Sequence, residues 1–287
     1  MRVRAEQITE PLALHGEGPC WLARSGEVAW VDMLAGRVLV TSIAGGTTRA
    51  ITIPSRVAAM VRPRASGGLV VAGETGVLLL DGNDEATVLC EVIDDPAIRM
   101  NEGSCDPQGR FWIGTMAWDA TPDAGKLFRI EPDGSFATAL EPVTISNGLG
   151  WSADGSTAFY IDSLAHGIDT FAFDGTTGEL GERRRFADVA ENLGLPDGLA
   201  VDAEGGVWVA LWDGGQVRRY GPDGALDAVV PLPCGRVTAC SFGGDDLSQL
   251  YITTSRLELA DGVDPDGGAL FVCEPGVRGQ AVLEFAG

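Results

Sequence analysis

Three short glycine-containing segments carry side chains that bind hard cations. Glu17 lies in GEGP (16–19), Asn147 in SNGL (146–149) and Asp197 in PDGL (196–199). Two carboxylates and an amide oxygen suit a hard or borderline divalent cation. Three protein ligands would leave coordination positions open for water and substrate, which is typical of a catalytic metal rather than a structural one. Asn-Gly and Asp-Gly are also frequent turn dipeptides, so each segment taken alone is better explained as a turn.

A sixfold repeat supplies the elements that would bring these segments together. Six times along the chain, a turn rich in Gly, Asp and Ser leads into β-branched and aromatic residues, at 28–32, 69–72, 111–114, 158–162, 207–210 and 250–253. A third strand follows each run, usually opened by Gly, and a weaker fourth strand comes next. The repeat predicts an all-β fold, a six-bladed β-propeller with four-stranded antiparallel blades, in one domain spanning residues 1–287. The segment 2–8 is expected to close the ring by pairing with the last blade.

The first strand of each propeller blade lines the central channel, so equivalent positions in the six first strands meet at one channel mouth. Aligned by their turns, these positions are 41 to 50 residues apart: Glu17, Ala58, Glu102, Asn147, Asp197 and Thr238. The recurrence of oxygen ligands at one blade position favours a metal site over three unrelated turns. Glu17, Asn147 and Asp197 are therefore the predicted metal ligands.

Charge and composition exclude several functions. The chain has 20 Lys and Arg against 41 Asp and Glu, a net charge of −21, which argues against nucleic acid or an anionic membrane as a partner. No apolar run is long enough to span a membrane, and the first six residues lack an apolar leader, so we expect a cytoplasmic protein. The six cysteines form no CxxC pair and are expected to be reduced.

Longer motifs resemble those of the SMP-30/gluconolactonase/regucalcin family, over essentially the full length. They are RMNEG (99–103), DPQGRFWIGTM (106–116), ISNGL (145–149), YIDS (160–163), PDGL (196–199) and SFGG (241–244). The resemblance places Glu17, Asn147 and Asp197 on the family's metal ligands. It places Arg99, Asn101 and Asp119 on substrate-contacting positions. Glu102 stands where the family often has Asp, and Trp118 stands where some members have an acid.

The resemblance implies a metal-dependent lactonase that hydrolyses a small sugar (aldono-) lactone to the open-chain sugar acid. One divalent cation is expected, and oxygen ligands allow Ca²⁺, Mg²⁺, Mn²⁺, Zn²⁺ or Fe²⁺. Such a cation polarises the carbonyl and acidifies a bound water. Asp197 is the candidate general base, with Asp119 or Glu102 as alternatives, because a carboxylate that ligates a metal is a weak base. The absence of a GxSxG segment disfavours a serine nucleophile.

Other functions use the same residues. A calcium-binding regulatory propeller without turnover would need only the three ligands, although Arg99 and Asn101 argue for a substrate. A metal-dependent esterase of broader specificity would use similar chemistry. A protein-interaction propeller is disfavoured because no WD-type motif recurs. Among the histidines, His15 is a candidate support for the nearby ligand Glu17, and His166 is more simply a loop residue without a role.

Overall fold

The structure is a computed structural model that describes residues 3–287, and it confirms the six-bladed β-propeller. After β1 (Glu6–Gln7), blade 1 contains β2 (Gly16–Leu22), β3 (Glu27–Asp32), β4 (Arg37–Ser42) and β5 (Thr47–Thr52). Blade 2 contains β6 (Met60–Pro63), β7 (Leu69–Ala72), β8 (Gly76–Leu80) and β9 (Ala86–Glu91). Blade 3 contains β10 (Ile98–Cys105), β11 (Phe111–Ala117), β12 (Gly125–Ile130) and β13 (Phe136–Val143).

The second half of the ring repeats this antiparallel order. Blade 4 contains β14 (Ser146–Trp151), β15 (Thr157–Asp162), β16 (Gly167–Asp174), β17 (Glu179–Leu180) and β18 (Arg184–Asp188). Blade 5 contains β19 (Leu195–Val201), β20 (Val207–Trp212), β21 (Gln216–Tyr220) and β22 (Leu226–Pro231). Blade 6 contains β23 (Val237–Gly243), β24 (Gln249–Thr254) and β25 (Leu270–Cys273). Short 3-10 turns lie at Met33–Ala35, Ser163–Ala165 and Glu191–Leu193, and none of the described residues form a helix long and apolar enough to cross a membrane.

Two details refine the predicted architecture. Blade 4 has five strands rather than four, because β16 is eight residues long and pairs with β18 along its first half and with β17 at its end. The N-terminal segment closes the ring as expected: in β1, Glu6 pairs with Val272 and Gln7 with Phe271 of β25. Met1 and Arg2 lie outside the described residues; they belong to the first six residues, in which the sequence shows no apolar leader, and Arg2 begins the segment 2–8 that is predicted to close the ring.

Buried tryptophans anchor the blades to polar partners in the core. Trp112 of β11 and Trp208 of β20 are fully buried, and each indole Nε1 donates a 2.9 Å hydrogen bond to a buried aspartate, Asp106 or Asp202. Asp202 also accepts a 2.7 Å hydrogen bond from Arg219 Nε. Because every one of these buried polar groups has a partner, their burial carries little desolvation cost. These hydrogen bonds therefore fix the second strands of blades 3 and 5 to the turns that precede them.

The C-terminal residues 277–287 cross the propeller face that carries the turns between first and second strands. Phe285 is fully buried, its N–H donates to Pro63 O (2.9 Å), and Ala286 N donates to Gly109 O (2.9 Å). On the other side of the ring, Gly279 N donates to Leu247 O (2.8 Å). First strands begin at the opposite face, so the tail covers the end of the channel that is remote from Glu17, Asn147 and Asp197.

Candidate metal and substrate site

Irregularities in the inner strands position the candidate ligands. The antiparallel register shifts between Glu17 and Cys20 in β2, between Ser146 and Leu149 in β14, and between Pro196 and Leu199 in β19. A bulge interrupts the alternation of side chains and re-aims them, which is why bulges are common beside binding sites. The equivalent shift in β10 contains Asn101 and Glu102. The glycines that made these segments look like turns therefore belong to bulges at the channel mouth.

Blade 2 departs from this pattern and leaves space for a neighbour. Its inner strand β6 begins only at Met60, pairs with β7 without a register shift, and is preceded by the buried Ala58. Arg99 from blade 3 reaches across this blade, so that its Nη1 lies 3.4 Å from the Met33 sulfur of blade 1. Blade 2 thus carries the small Ala58 at the equivalent position, while the long Arg99 side chain of blade 3 extends to blade 1.

The three predicted metal ligands and the three predicted substrate contacts line one cavity of about 520 Å³. Its wall includes the proposed ligands Glu17, Asn147 and Asp197 and the proposed substrate contacts Arg99, Asn101 and Asp119. Five of these six side chains are buried, and Asp119 is exposed at the cavity entrance. The structure therefore brings the six residues together, while their individual roles stay predictions.

The amide of Asn147 is oriented as a cation ligand would be. Its Nδ2 donates a 3.0 Å hydrogen bond to Ser163 Oγ, which fixes the direction of the side chain. Its Oδ1 is buried and accepts no hydrogen bond from any residue in 3–287. A buried carbonyl oxygen without a partner costs about 1–3 kcal/mol, and a bound cation would remove that cost. This orphaned oxygen is the sign that the residues present fit a metal ion.

The electrostatics of the site also fit a cation. Burial raises the pKa of Glu17 to about 8, and burial followed by the charge of Glu17 raises the pKa of Asp197 well above its usual range. Burial and the charge of Glu17 also raise the pKa of Glu102 well above its usual range. The Glu102 Oε2 is buried without a hydrogen bond in the described chain. A divalent cation favours the ionised forms of such carboxylates. The proposed donor set is two carboxylates and one amide oxygen. It therefore differs from a cluster of three or more His, Cys, Asp or Glu side chains, and residues 3–287 contain no such cluster.

Arg99 is a buried cation with donors to spare. Its Nη1 donates to Asn101 Oδ1 (2.7 Å) and to Met100 O (3.0 Å). Burial lowers the pKa of Arg99 to about 10, opposed by the charges of Glu17 and Asp197, and the guanidinium stays protonated at neutral pH. Nε and Nη2 make no hydrogen bond within residues 3–287, so they are free to bind an oxygen atom in the cavity.

The other candidate residues differ in whether they line the cavity. Asp119 Oδ1 accepts hydrogen bonds from Thr121 N (3.0 Å) and Thr121 Oγ1 (2.7 Å), which leaves Oδ2 available at the entrance. Glu102 and His166 do not line the cavity, and the His166 Nδ1 is buried without a partner in the described chain. His15 does line it, with Nδ1 2.9 Å from Ser255 Oγ.

Sequence reasoning missed two supporting residues. Ser163 orients Asn147, and its position directly after the second strand of the same blade was the available signal. Ser255 holds His15 from the opposite end of the chain, 240 residues away. No local sequence pattern predicts a contact between residues so far apart in the chain, because His15 and Ser255 meet only when the ring closes.

Known proteins place the chain in a family. Residues 15–256 match the family described as "SMP-30/Gluconolactonase/LRE-like region". Regucalcin of Xenopus laevis is 36% identical with 99% of each chain covered, and regucalcin of Homo sapiens is 34% identical with 95% of each covered. Among solved structures, a calcium-binding protein, regucalcin, from Agrobacterium tumefaciens superposes with a TM-score of 0.92 at 28% identity and 98% coverage of both chains. A gluconolactonase from Xanthomonas campestris shares the fold, with a TM-score of 0.77 at 24% identity, covering 95% of this chain and 89% of that one. The chain belongs to the SMP-30/gluconolactonase/LRE-like family.

Proposed function

We propose that this protein hydrolyses a sugar lactone to the open-chain sugar acid, using one divalent cation held by Glu17, Asn147 and Asp197. The observation that carries the proposal is the unpartnered Asn147 Oδ1, which lies in the wall of the same cavity as two buried carboxylates and a buried arginine. Family membership supports the same reading, since the family description includes gluconolactonase.

A cation bound by these residues would supply Lewis-acid activation of the lactone and acidify a water molecule. The protein's own contribution begins with Arg99, whose free N–H groups are placed to donate charge-assisted hydrogen bonds to a lactone or hydroxyl oxygen. Asn101 holds Arg99 in that position through its Oδ1. Asp119 offers the free Oδ2 as an acceptor for a hydroxyl at the entrance. These contacts orient the ester carbon before reaction.

Hydrolysis adds the water oxygen to the ester carbon, breaks the bond to the ring oxygen, and moves one proton from the water to that leaving oxygen. Asp197 is the proposed base because it lines the cavity and is buried beside the other ligands. Asp119 and Glu102 are the alternatives, because a carboxylate that does not ligate the cation keeps more basicity. Asp119 lines the cavity with a free Oδ2, whereas Glu102 does not line it and would need a bridging water to accept the proton.

The test is a panel of γ- and δ-aldonolactones assayed by acid release. The protein is first stripped of metal, with metal content measured, and then supplied separately with Ca²⁺, Mg²⁺, Mn²⁺, Zn²⁺ and Fe²⁺. We expect turnover to appear only after addition of a cation. Full activity in protein shown to be metal-free would refute the metal-dependent function.

A second function, calcium binding without turnover, is favoured by one observation: the Agrobacterium tumefaciens relative is described as a calcium-binding protein. The same three donors would serve it. Titration calorimetry with Ca²⁺, run beside the lactone panel, separates the two functions. Tight Ca²⁺ binding with no hydrolysis under any metal would select the regulatory function, and hydrolysis would select the lactonase.

A further inference from the structure

We infer that the preferred lactone carries an apolar, ring-sized substituent that lies between Trp118 and Trp212 at the cavity entrance. This inference rests on the proposed lactonase function and concerns its substrate class. The chain has seven tryptophans, and five of them are buried in the core, with exposures between 0% and 6%. The two that are not buried, Trp118 and Trp212, both line the candidate cavity.

Trp118 is held in place while much of its ring stays accessible. The side chain follows β11 and is 42% exposed. The guanidinium of Arg99 lies 5.3 Å from its ring centroid and that of Arg56 lies 6.0 Å away. Arg56 is itself paired with Glu74. Cation–π contacts of this kind stabilise a ring orientation without covering both of its faces.

Trp212 is fixed by a separate set of contacts. The Arg236 guanidinium lies 4.6 Å from its ring centroid, and Arg236 Nε donates a 3.0 Å hydrogen bond to Asp213. The His15 ring meets Trp212 edge-on, with 5.5 Å between centroids and an interplanar angle of 90°. Two pre-positioned aromatic walls bind a planar or apolar group at little cost in side-chain entropy.

Three leucines also line the cavity: Leu34 follows β3, Leu195 begins β19 and Leu257 follows β24. The acidic side chains of Asp119 and Glu258 line it as well. The rest of the polar lining comes largely from the bulged inner strands. Hydroxyl groups placed against an apolar rim would lose hydrogen bonds to water without replacing them. The part of the rim formed by the two tryptophans and the leucines therefore suits an apolar group, while Asp119 and the inner wall suit the lactone and its nearest hydroxyls.

The size of the cavity agrees with this division. Even at the ~30 Å³ that a water molecule occupies in the liquid, the roughly twelve heavy atoms of a hexonolactone fill about 360 Å³. The cavity measures about 520 Å³. By the same measure, the roughly thirteen heavy atoms of a six-membered lactone that carries a phenyl group fill about 390 Å³, so a ring-sized substituent fits beside the lactone ring in the part of the cavity that the two tryptophans border.

The experiment compares glucono-δ-lactone, cellobiono-δ-lactone and 6-phenyl-δ-valerolactone under the best cation, in wild type and in W118A, W118F and W212A. We expect the phenyl lactone to have the highest kcat/KM. W118A and W212A should each lower its kcat/KM about tenfold, mainly through KM, and should lower that of glucono-δ-lactone by a clearly smaller factor. W118F should recover much of the loss. F136A is the matched control, since Phe136 is a 44% exposed aromatic residue on the outer strand β13, away from the cavity.

A binding measurement makes the result independent of catalysis. The unreactive lactam 6-phenyl-2-piperidinone should quench tryptophan fluorescence in metal-free protein, and W118A should weaken its binding about tenfold. Preference for either sugar lactone, with tryptophan variants that affect all substrates equally, would overturn the substrate assignment and leave the lactonase function standing. No hydrolysis of any lactone with any cation would overturn the proposed function, and with it the assignment.

Discussion

Asn101 Nδ2 donates a 2.9 Å hydrogen bond to the backbone carbonyl of Ser146 and thereby joins the inner strands of blades 3 and 4 at the candidate metal site. The acceptor directly precedes Asn147. On its other side, Asn101 Oδ1 accepts a 2.7 Å hydrogen bond from Arg99. One amide therefore connects a proposed metal ligand to a proposed substrate contact, beyond any contact that Asn101 makes with substrate.

This connection predicts that N101A affects both functions of the site. We expect weaker cation binding, because the bulge at Asn147 loses a support, and a lower kcat/KM, because Arg99 loses its partner. Two lost hydrogen bonds, one of them to a charged group, correspond to roughly 2–4 kcal/mol in total. Calorimetric metal affinity and lactone kinetics are the measurements. A variant with normal metal affinity and raised KM alone would instead make Asn101 a pure substrate contact.

Loss of Arg99, unlike loss of Asn101, should affect catalysis and leave cation binding intact. In R99A, we expect loss of activity with metal affinity retained, because its free donors face the cavity and none of its hydrogen bonds reach Glu17, Asn147 or Asp197. A charge-assisted hydrogen bond contributes about 1.5–3 kcal/mol, which corresponds to a drop of about 10- to 150-fold in kcat/KM. Wild-type kinetics in R99A would show that the substrate lies elsewhere, and loss of metal would show that Arg99 supports a ligand.

Loss of the proposed metal ligands should impair function and leave the fold intact. E17Q and D197A should each lower cation affinity at least about 100-fold and abolish cation-dependent turnover, since each removes one of the two proposed ligating charges. Circular dichroism and melting temperature should stay close to wild type, because the six blades bury the core without help from these side chains. Unfolding of both variants would mark the residues as structural.

Local patterns in the sequence were sufficient to predict the fold because the turn and strand signals recur in each of the six blades. The same repeat located Glu17, Asn147 and Asp197, since a shared register places them at one channel mouth. The approach of Arg99 to Met33 across blade 2, the contact of His15 with Trp212, and the path of residues 277–287 follow no periodicity. These features depend on packing between distant segments, which only the closed ring determines.

Burial of Glu17 predicts that the free energy of unfolding of the metal-free protein depends on pH. Its pKa is raised to about 8 from an ordinary value of 4.5, so near pH 7 the native state binds more protons than the unfolded state. The free energy of unfolding should therefore fall as pH rises from 6.5 to 8, by at most about 2 kcal/mol for one group. The raised carboxyls of Asp197 and Glu102 act in the same direction.

Denaturant titration of chelated protein at pH 6.5 and 8 is the measurement. The window begins at 6.5 because burial lowers the pKa of His15 to about 3, so this group makes stability rise with pH below its unfolded value. E17Q is the control and should lose part of the decline, and a saturating cation should abolish it in wild type. A free energy of unfolding that does not fall between these two pH values would contradict the buried, protonated state of Glu17.

Truncation of the Phe285 side chain in the C-terminal tail should lower stability without affecting catalysis. Phe285 is fully buried, meets Phe111 edge-on at 6.3 Å, and lies at the channel end remote from the cavity. F285A should cost about 3–5 kcal/mol of unfolding free energy, as for other buried phenylalanines. Below the melting transition, cation affinity and kcat/KM should be within about twofold of wild type. The exposed F136A serves again as control and should cost less than about 1 kcal/mol. A folded F285A protein with strongly impaired turnover would show instead that the tail communicates with the site through the channel.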